Sequence, residues 1–228
     1  GEMVDLIGVR TFAGLRDLDE DRAEPILSLI DEESPVPVVN LESAMDHPLQ
    51  ALADVLTLQE HLGDDLTGQP VTLTWAPHPK PLPLAVAAAF LRGAARMGMS
   101  VRVASPPEFA LPDFLLDEAR AIGPAARIDV FDDQREALLG ARAVYAKSWA
   151  APALLHDRDA DRTARAVHAD WTVTEDRMAL TDSGLFLHCL PVRRNVVVTD
   201  AVLDGPRSVV IEEAGNRLHT ARAVLAHC

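Results

Sequence analysis

The chain has 228 residues, a net charge of −14, and a composition that is 48% hydrophobic and 25% charged, which fits a globular protein with room for one large or two modest domains. The summed negative field argues against a nucleic-acid partner, although local cationic pockets could still gather a small anion. No apolar run reaches membrane-spanning length and no secretory signal is visible; Cys189 and Cys228, the two cysteines, supply no disulfide framework and point to a reduced, cytoplasmic setting.

Short β-rich runs alternate with helical spacing from end to end, which predicts an α/β fold with a mainly parallel sheet. Strands are expected at residues 4–10 and 37–41, then a helix at 49–62 entered through Pro48. Next come a strand at 71–75, a helix at 84–97, a strand at 100–104, a helix at 114–122 and a strand at 127–131. Asp132 and Asp133 read as the start of a helix at 134–139, and Thr174 as the start of one leading to Met178. Strands at 143–146, 185–189 and 208–212 and a final helix at about 216–226 complete the pattern.

The run Phe186-Leu187-His188-Cys189-Leu190-Pro191, followed by Arg193 and Arg194, carries the most chemistry. An apolar stretch breaks off into polar groups, as a buried strand does at its carboxyl end, where open α/β sheets bind ligands. Far upstream stands Asp46-His47-Pro48-Leu49-Gln50. Proline is at ease in a first helical turn, so His47 and Gln50 flank a helix amino terminus whose N–H groups and dipole favour an anion or a polarised carbonyl. Taken alone, His-Pro-x-Gln is a weak pattern, and a histidine there is more often a cap or a surface residue. Of the 21 basic residues only Lys80 and Lys147 are lysines, each just after a strand-like run, a placement better explained by function than by chance. His188 and Cys189 have no second Cys/His pair at ligand spacing, so no metal is expected. No Gly-x-Gly-x-x-Gly follows a strand, which sets a dinucleotide-binding domain aside.

Read together, these segments resemble the aspartate/ornithine carbamoyltransferase family. Val9-Arg10-Thr11, Asn40-Leu41-Glu42, His47-Pro48-Leu49-Gln50, Trp75-Ala76-Pro77-His78-Pro79-Lys80, Tyr145-Ala146-Lys147-Ser148-Trp149, His188-Cys189-Leu190-Pro191 and Asn216-Arg217-Leu218-His219 follow in the family's order along essentially the whole chain. The resemblance implies Rossmann-like parallel-sheet domains. Residues 1–48 would belong to a carbamoyl-phosphate-binding domain, to which a helix at 213–228 returns, and 49–212 would form the amino-acid-binding domain. It further implies that the first domain is incomplete, because the family's Ser-x-Arg-Thr-Arg phosphate motif, which lies in its amino-terminal third, has no counterpart here. Homotrimers are the family's assembly, so one is expected of the full-length form.

The branch of the family follows from a substitution. Ornithine carbamoyltransferases are expected to hold the free α-amino group with an Asp and a Ser-Met-Gly loop, whereas this chain reads Val144-Tyr145-Ala146-Lys147-Ser148-Trp149. Exchanging an acid for a cation suits a substrate whose α-amine is acylated, since no ammonium remains to be neutralised and Lys147 can meet the α-carboxylate as a point charge. The resemblance therefore implies an enzyme acting on N-acetylornithine or N-succinylornithine and carbamoyl phosphate, with no cofactor. Arg10, His47, Gln50, Cys189, Leu190 and Arg217 would hold carbamoyl phosphate, with His47 donating to the carbonyl oxygen and Gln50 to the carbamoyl group. His47, Gln50, Cys189 and Arg217 would be catalytic, Cys189 orienting the ligand without attacking it. Glu42, Lys147, Leu190, His78 and Lys80 would face the acylornithine. At least one of Arg193 and Arg194 is expected to pair with an acid between domains or subunits, and Arg217 has the option of bridging Glu212 or Glu213. Pro83 stands where some acetylornithine enzymes present an asparagine, which shifts weight towards the succinyl relatives or a different donor for the acyl group, but apart from Lys80 no extra cation is available for a succinyl carboxylate, so acetyl is the expected group. The alternative is a truncated, non-catalytic remnant that binds a ligand or a partner.

Overall fold

The computed structural model describes residues 3–228, so the first two positions of the expected 1–48 unit lie outside it. β1 (Ile7–Arg10) and β2 (Val38–Glu42) pair in parallel, and a register shift after Val9 sets Arg10 opposite Glu42. Between them run α1 (Leu18–Ala23), capped by the Asp17 carboxylate, and α2 (Pro25–Glu33), opened by proline. Both are local devices that satisfy helix amino termini. α2 buries none of its residues and leaves Ile26 and Leu29 exposed.

α3 (Pro48–Leu62) leads into the main sheet. Its elements are β3 (Pro70–Trp75), α4 (Ala85–Arg96), β4 (Ser100–Ala104), α5 (Asp113–Ile122), β5 (Arg127–Phe131), α6 (Gln134–Leu138), β6 (Ala143–Lys147), α7 (Arg158–Ala166), α8 (Glu175–Met178), β7 (Leu185–Leu187), α9 (Asp200–Leu203) and α10 (Val210–Leu225). All five strands are parallel, in the order β5-β4-β3-β6-β7. The chain winds outward from β3 to β5, then crosses back to lay β6 and β7 on the other side. The reversal falls between β3 and β6, whose carboxyl ends, with Trp75 opposite Lys147, border the crevice where such sheets take ligands.

Period-two alternation fills both faces. Val71, Leu73 and Trp75 join Tyr145, Phe90 and Leu91 in one core, while Val144, Ala146, Phe186 and Val198 form the other. α4 is alanine-rich because it lies close to its neighbours: a Cβ on Gly93 would sit 3.4 Å from Ala51 Cβ of α3, and one on Gly123 would collide with the Ala95 carbonyl at 2.0 Å. At the switch point the strand ends are tied together. Trp75 Nε1 donates to the Trp149 carbonyl at 3.1 Å, and Ala76 N–H to the Lys147 carbonyl at 3.0 Å.

The strand expected at 208–212 does not form. Only Ser208 bridges Phe186, and from Val210 the chain is helical. The β-branched run Val209-Val210-Ile211 suggested a strand, but its burial follows helical spacing: Val209, Val210 and Glu213 are buried while Ile211 is 72% exposed. Tertiary packing thus overrides local propensity. The last helix accordingly begins six residues earlier than the expected 216.

α7 carries a buried ion pair that braces the loop after β6. The Arg165 guanidinium meets the Asp161 carboxylate through Nε at 2.7 Å and Nη2 at 2.9 Å, and Asp161 also accepts from Ala151 N–H at 3.0 Å. Both side chains are 3% exposed. Arg165→Ala leaves that carboxylate buried without its partner, and is expected to destabilise the fold by about 3–5 kcal/mol in urea unfolding.

Candidate functional site

Three clusters meet around the carboxyl end of the main sheet. The first forms where α3 and α10 cross the end of β7. Gln50, in the first turn of α3, donates both hydrogens of its carboxamide, to Asp54 Oδ1 at 2.8 Å and to Glu213 Oε1 at 2.9 Å. Its oxygen accepts from Arg217 Nη1 at 3.1 Å. Arginine only donates, so the Gln50 atom facing Arg217 is the oxygen. Glu213 Oε2 accepts the backbone N–H of His188 at 2.9 Å, which ties α10 to the end of β7. A cleft of about 340 Å³ opens here, and Gln50, Cys189, Leu190 and Arg217 line it. Arg217 bridges neither Glu212 nor Glu213 but reaches across to α3. Gln50, expected to donate to a ligand, has both hydrogens engaged and presents an acceptor.

The second cluster is His47, Glu42 and Arg10, at the end of the small sheet. Arg10 Nε donates to Glu42 Oε2 at 2.8 Å, and His47 Nε2 lies 3.8 Å from the same oxygen. His47 Nδ1 is buried without a hydrogen-bond partner. Burial, reinforced by the Arg217 charge and opposed by Glu42, brings the imidazole pKa down to about 4. At neutral pH it is a neutral ring, able to donate a hydrogen bond from one nitrogen without carrying charge.

The third cluster sits on the loop after β3, beside Lys147 at the end of β6. Arg193 Nε donates to His78 Nε2 at 3.0 Å. That nitrogen must therefore be unprotonated, and the proton lies on Nδ1, which donates to the Lys80 carbonyl at 2.8 Å. Burial, opposed by the hydrogen bond to the Lys80 carbonyl and reinforced by the Arg193, Lys147 and Arg165 charges, lowers the His78 pKa. Lys80 enters through its backbone while the residue itself is exposed. Lys147 also bears on His188, whose pKa burial drives down to about 3, with Lys147 and His78 adding to the effect. Arg193, which sequence reasoning left undecided, joins His78 in this cluster. Arg194 does pair with acids, but local ones: Asp200 at 2.8 Å and Asp204 at 2.7 Å. Among the described residues no group of three or more His, Cys, Asp or Glu is placed to hold a metal, and no helix is long and apolar enough to cross a membrane.

The Arg217 and Lys147 charges both act on His47, so the three clusters are neighbours at the carboxyl side of the main sheet, where open α/β sheets take their ligands. The chain belongs to the aspartate/ornithine carbamoyltransferase family: its carbamoyl-P binding domain model matches residues 1–60 and its Asp/Orn binding domain model residues 85–228. The chain is 43% identical to the N-acetylornithine carbamoyltransferase of Xanthomonas axonopodis pv. citri (strain 306), over 99% of this chain and 67% of the relative. It is 39% identical to the N-succinylornithine carbamoyltransferase of Bacteroides thetaiotaomicron (strain ATCC 29148), over 97% of this chain and 65% of the relative. The crystal structure of acetylornithine transcarbamylase complexed with acetylcitrulline superposes with a TM-score of 0.96 at 43% identity, covering 99% of this chain and 69% of that one. The chain therefore spans about two thirds of the length of these relatives.

Proposed function

We propose that the chain transfers the carbamoyl group of carbamoyl phosphate to the δ-amine of N-acetyl-L-ornithine or N-succinyl-L-ornithine, giving the N-acylcitrulline and phosphate in arginine biosynthesis. The observation that carries this reading is the Arg217–Gln50 contact across the cleft, beside Cys189 and Leu190. In the reaction the amine lone pair forms the new C–N bond, the bond from carbon to the phosphate oxygen breaks, and the amine proton leaves with phosphate. Negative charge grows on the carbonyl oxygen and the leaving group, so fixed donors and cations are the main catalytic tool.

Arg217 and Arg10 supply charge to carbamoyl phosphate, and neutral His47 donates to its carbonyl oxygen. Gln50 Oε1, with the Leu190 carbonyl and Cys189, receives the carbamoyl NH2. Glu42 orients Arg10 and His47 and borders the second substrate. Lys147, His78 and Arg193 meet the α-carboxylate of the acylornithine, with Leu190 against its side chain and Lys80 at the rim. The groups gathered about His78 are Arg193, Lys147 and Arg165, the last already matched by Asp161. A free α-ammonium would meet the Arg193 and Lys147 charges there, whereas an acylated nitrogen is neutral, which favours the acyl substrates over ornithine. In this reading residues 1–48 and the helix at 213–228 serve the carbamoyl-phosphate side and 49–212 the amino-acid side. The full-length protein is a cytoplasmic homotrimer.

Purified protein of verified mass is assayed with carbamoyl phosphate and each of N-acetylornithine, N-succinylornithine and ornithine, following the citrulline product. Turnover of one acylated substrate is expected and names the acyl group. Turnover of ornithine alone overturns the argument from Lys147. A folded protein inert towards all three favours the binding-module alternative.

A further inference from the structure

We propose that Asp54 and Glu213 are a pair of positioning carboxyls which share one proton and hold the Gln50 carboxamide with its oxygen turned to Arg217 and the cleft. The proposal deepens the carbamoyl-transfer reading and rests on it only for what Gln50 then does to a ligand. The two acids come from different helices, α3 and α10, and are 1% and 0% exposed. Both accept from the same nitrogen, Gln50 Nε2. Neither has a Lys, Arg or His among its ion pairs in the described residues, although Arg217 lies near enough to act on Asp54. Two bare anions in such a place would be prohibitively costly. A single proton between them removes one charge and makes a hydrogen bond of the repulsion, as in other close carboxyl pairs.

Burial favours that state, while the Gln50 amide, the His188 N–H and the Arg217 charge favour the ionised forms, and burial outweighs them. From β6 comes the Tyr145 hydroxyl, buried and, like Asp54 Oδ2, without a hydrogen-bond partner in the folded chain. From the end of β7 come the Cys189 thiol, which acts on both Glu213 and Tyr145, and the His188 N–H bound to Glu213. From α10 comes Arg217. Burial, with the Asp54 charge next, pushes Glu213 well above the ordinary carboxyl range, and burial raises Asp54 to about 7. The two carboxyls therefore titrate as a pair, and the proton belongs to both. With both Gln50 hydrogens pinned on the pair, a ligand's NH2 meets an acceptor oxygen. Without the pair the carboxamide is free to turn its NH2 to the cleft, where it repels a donor and Arg217 alike.

Infrared difference spectra in D2O, with 13C-labelled carboxyls, compare the unaltered chain with Glu213→Gln, whose amide can donate where the shared proton did. A protonated-carboxyl band at neutral pH that is missing in Glu213→Gln is expected. The side-chain NH2 resonances of Gln50, assigned by their loss in Gln50→Met, should exchange slowly in both proteins. In Asp54→Ala they should exchange roughly tenfold faster, as the loss of one hydrogen bond dictates. Absence of the band, or Gln50 exchange unchanged in a folded Asp54→Ala, overturns the proposal. The infrared arm does not require Asp54→Ala to fold, and neither arm needs turnover. Carbamoyl transfer without the band therefore sinks the pair alone, and the band without carbamoyl transfer sinks the reaction alone.

Discussion

Arg217→Ala is expected to lower kcat/KM for carbamoyl transfer roughly 10²–10³-fold, the usual loss when one preorganised group facing developing charge is removed. Two effects combine. The cleft loses the guanidinium that α10 presents to it, and the Gln50 oxygen loses its 3.1 Å donor. Arg217→Lys should fall between the two, because an ammonium keeps the charge but not the planar fork. Arg194→Ala is the control. Among the described residues its guanidinium pairs with Asp200 and Asp204 on the adjoining segment, so turnover should be unchanged. An equal loss in both variants, with both folded by circular dichroism, would show that general damage rather than charge at the cleft is responsible.

The sequence already carried most of this architecture, because the main sheet writes itself in strong signals. β3 to β6 are short apolar runs separated by well-spaced amphipathic stretches, and the expected bounds differ from the observed ones by at most a residue or two. What local pattern concealed was decided by packing. α1 and α2 rest on the Asp17 cap and a proline start while burying almost nothing, so no core stripe announces them. The first turns of α10 looked like a strand because their β-branched residues fit either state. At the site, the spacing of His47 and Gln50 around a helix start pointed to a ligand position. Nothing in it could show that Gln50 spends both hydrogens on acids four and 163 residues away. Asp54 and Tyr145 were invisible as site residues because each, read alone, is an ordinary member of a helix or a strand. Arg193 and Arg194 are neighbours in sequence, and only the turn after β7 sends one to His78 and the other to Asp200 and Asp204.

The buried groups give stability a pH dependence with two opposing limbs. His47 and His188 have folded-state values of about 4 and about 3, against roughly 6.5 when unfolded. Below that unfolded value the unfolded chain binds protons that the folded chain refuses, so the histidines withdraw stability as pH falls from about 6.5 towards their folded values. Asp54 and Glu213 act in the other sense. Their folded values are raised, Asp54 to about 7, so the stability they contribute is fully present below the unfolded carboxyl range near 4 and is lost as pH rises through the folded values. Above about pH 6.5 the histidine limb is flat and only the carboxyl limb remains. Asp54→Asn keeps an acceptor for Gln50 and removes a titrating carboxyl. In urea unfolding across pH 5 to 8, its stability should rise relative to the unaltered chain by an amount that grows with pH, reaching on the order of 2–4 kcal/mol. Below the unfolded carboxyl range near 4, where Asp54 is protonated in both states, the two curves should run parallel. Parallel curves across pH 5 to 8 as well would mean that Asp54 titrates alike in the folded and unfolded chains, and then its burial beside Glu213 does not raise it.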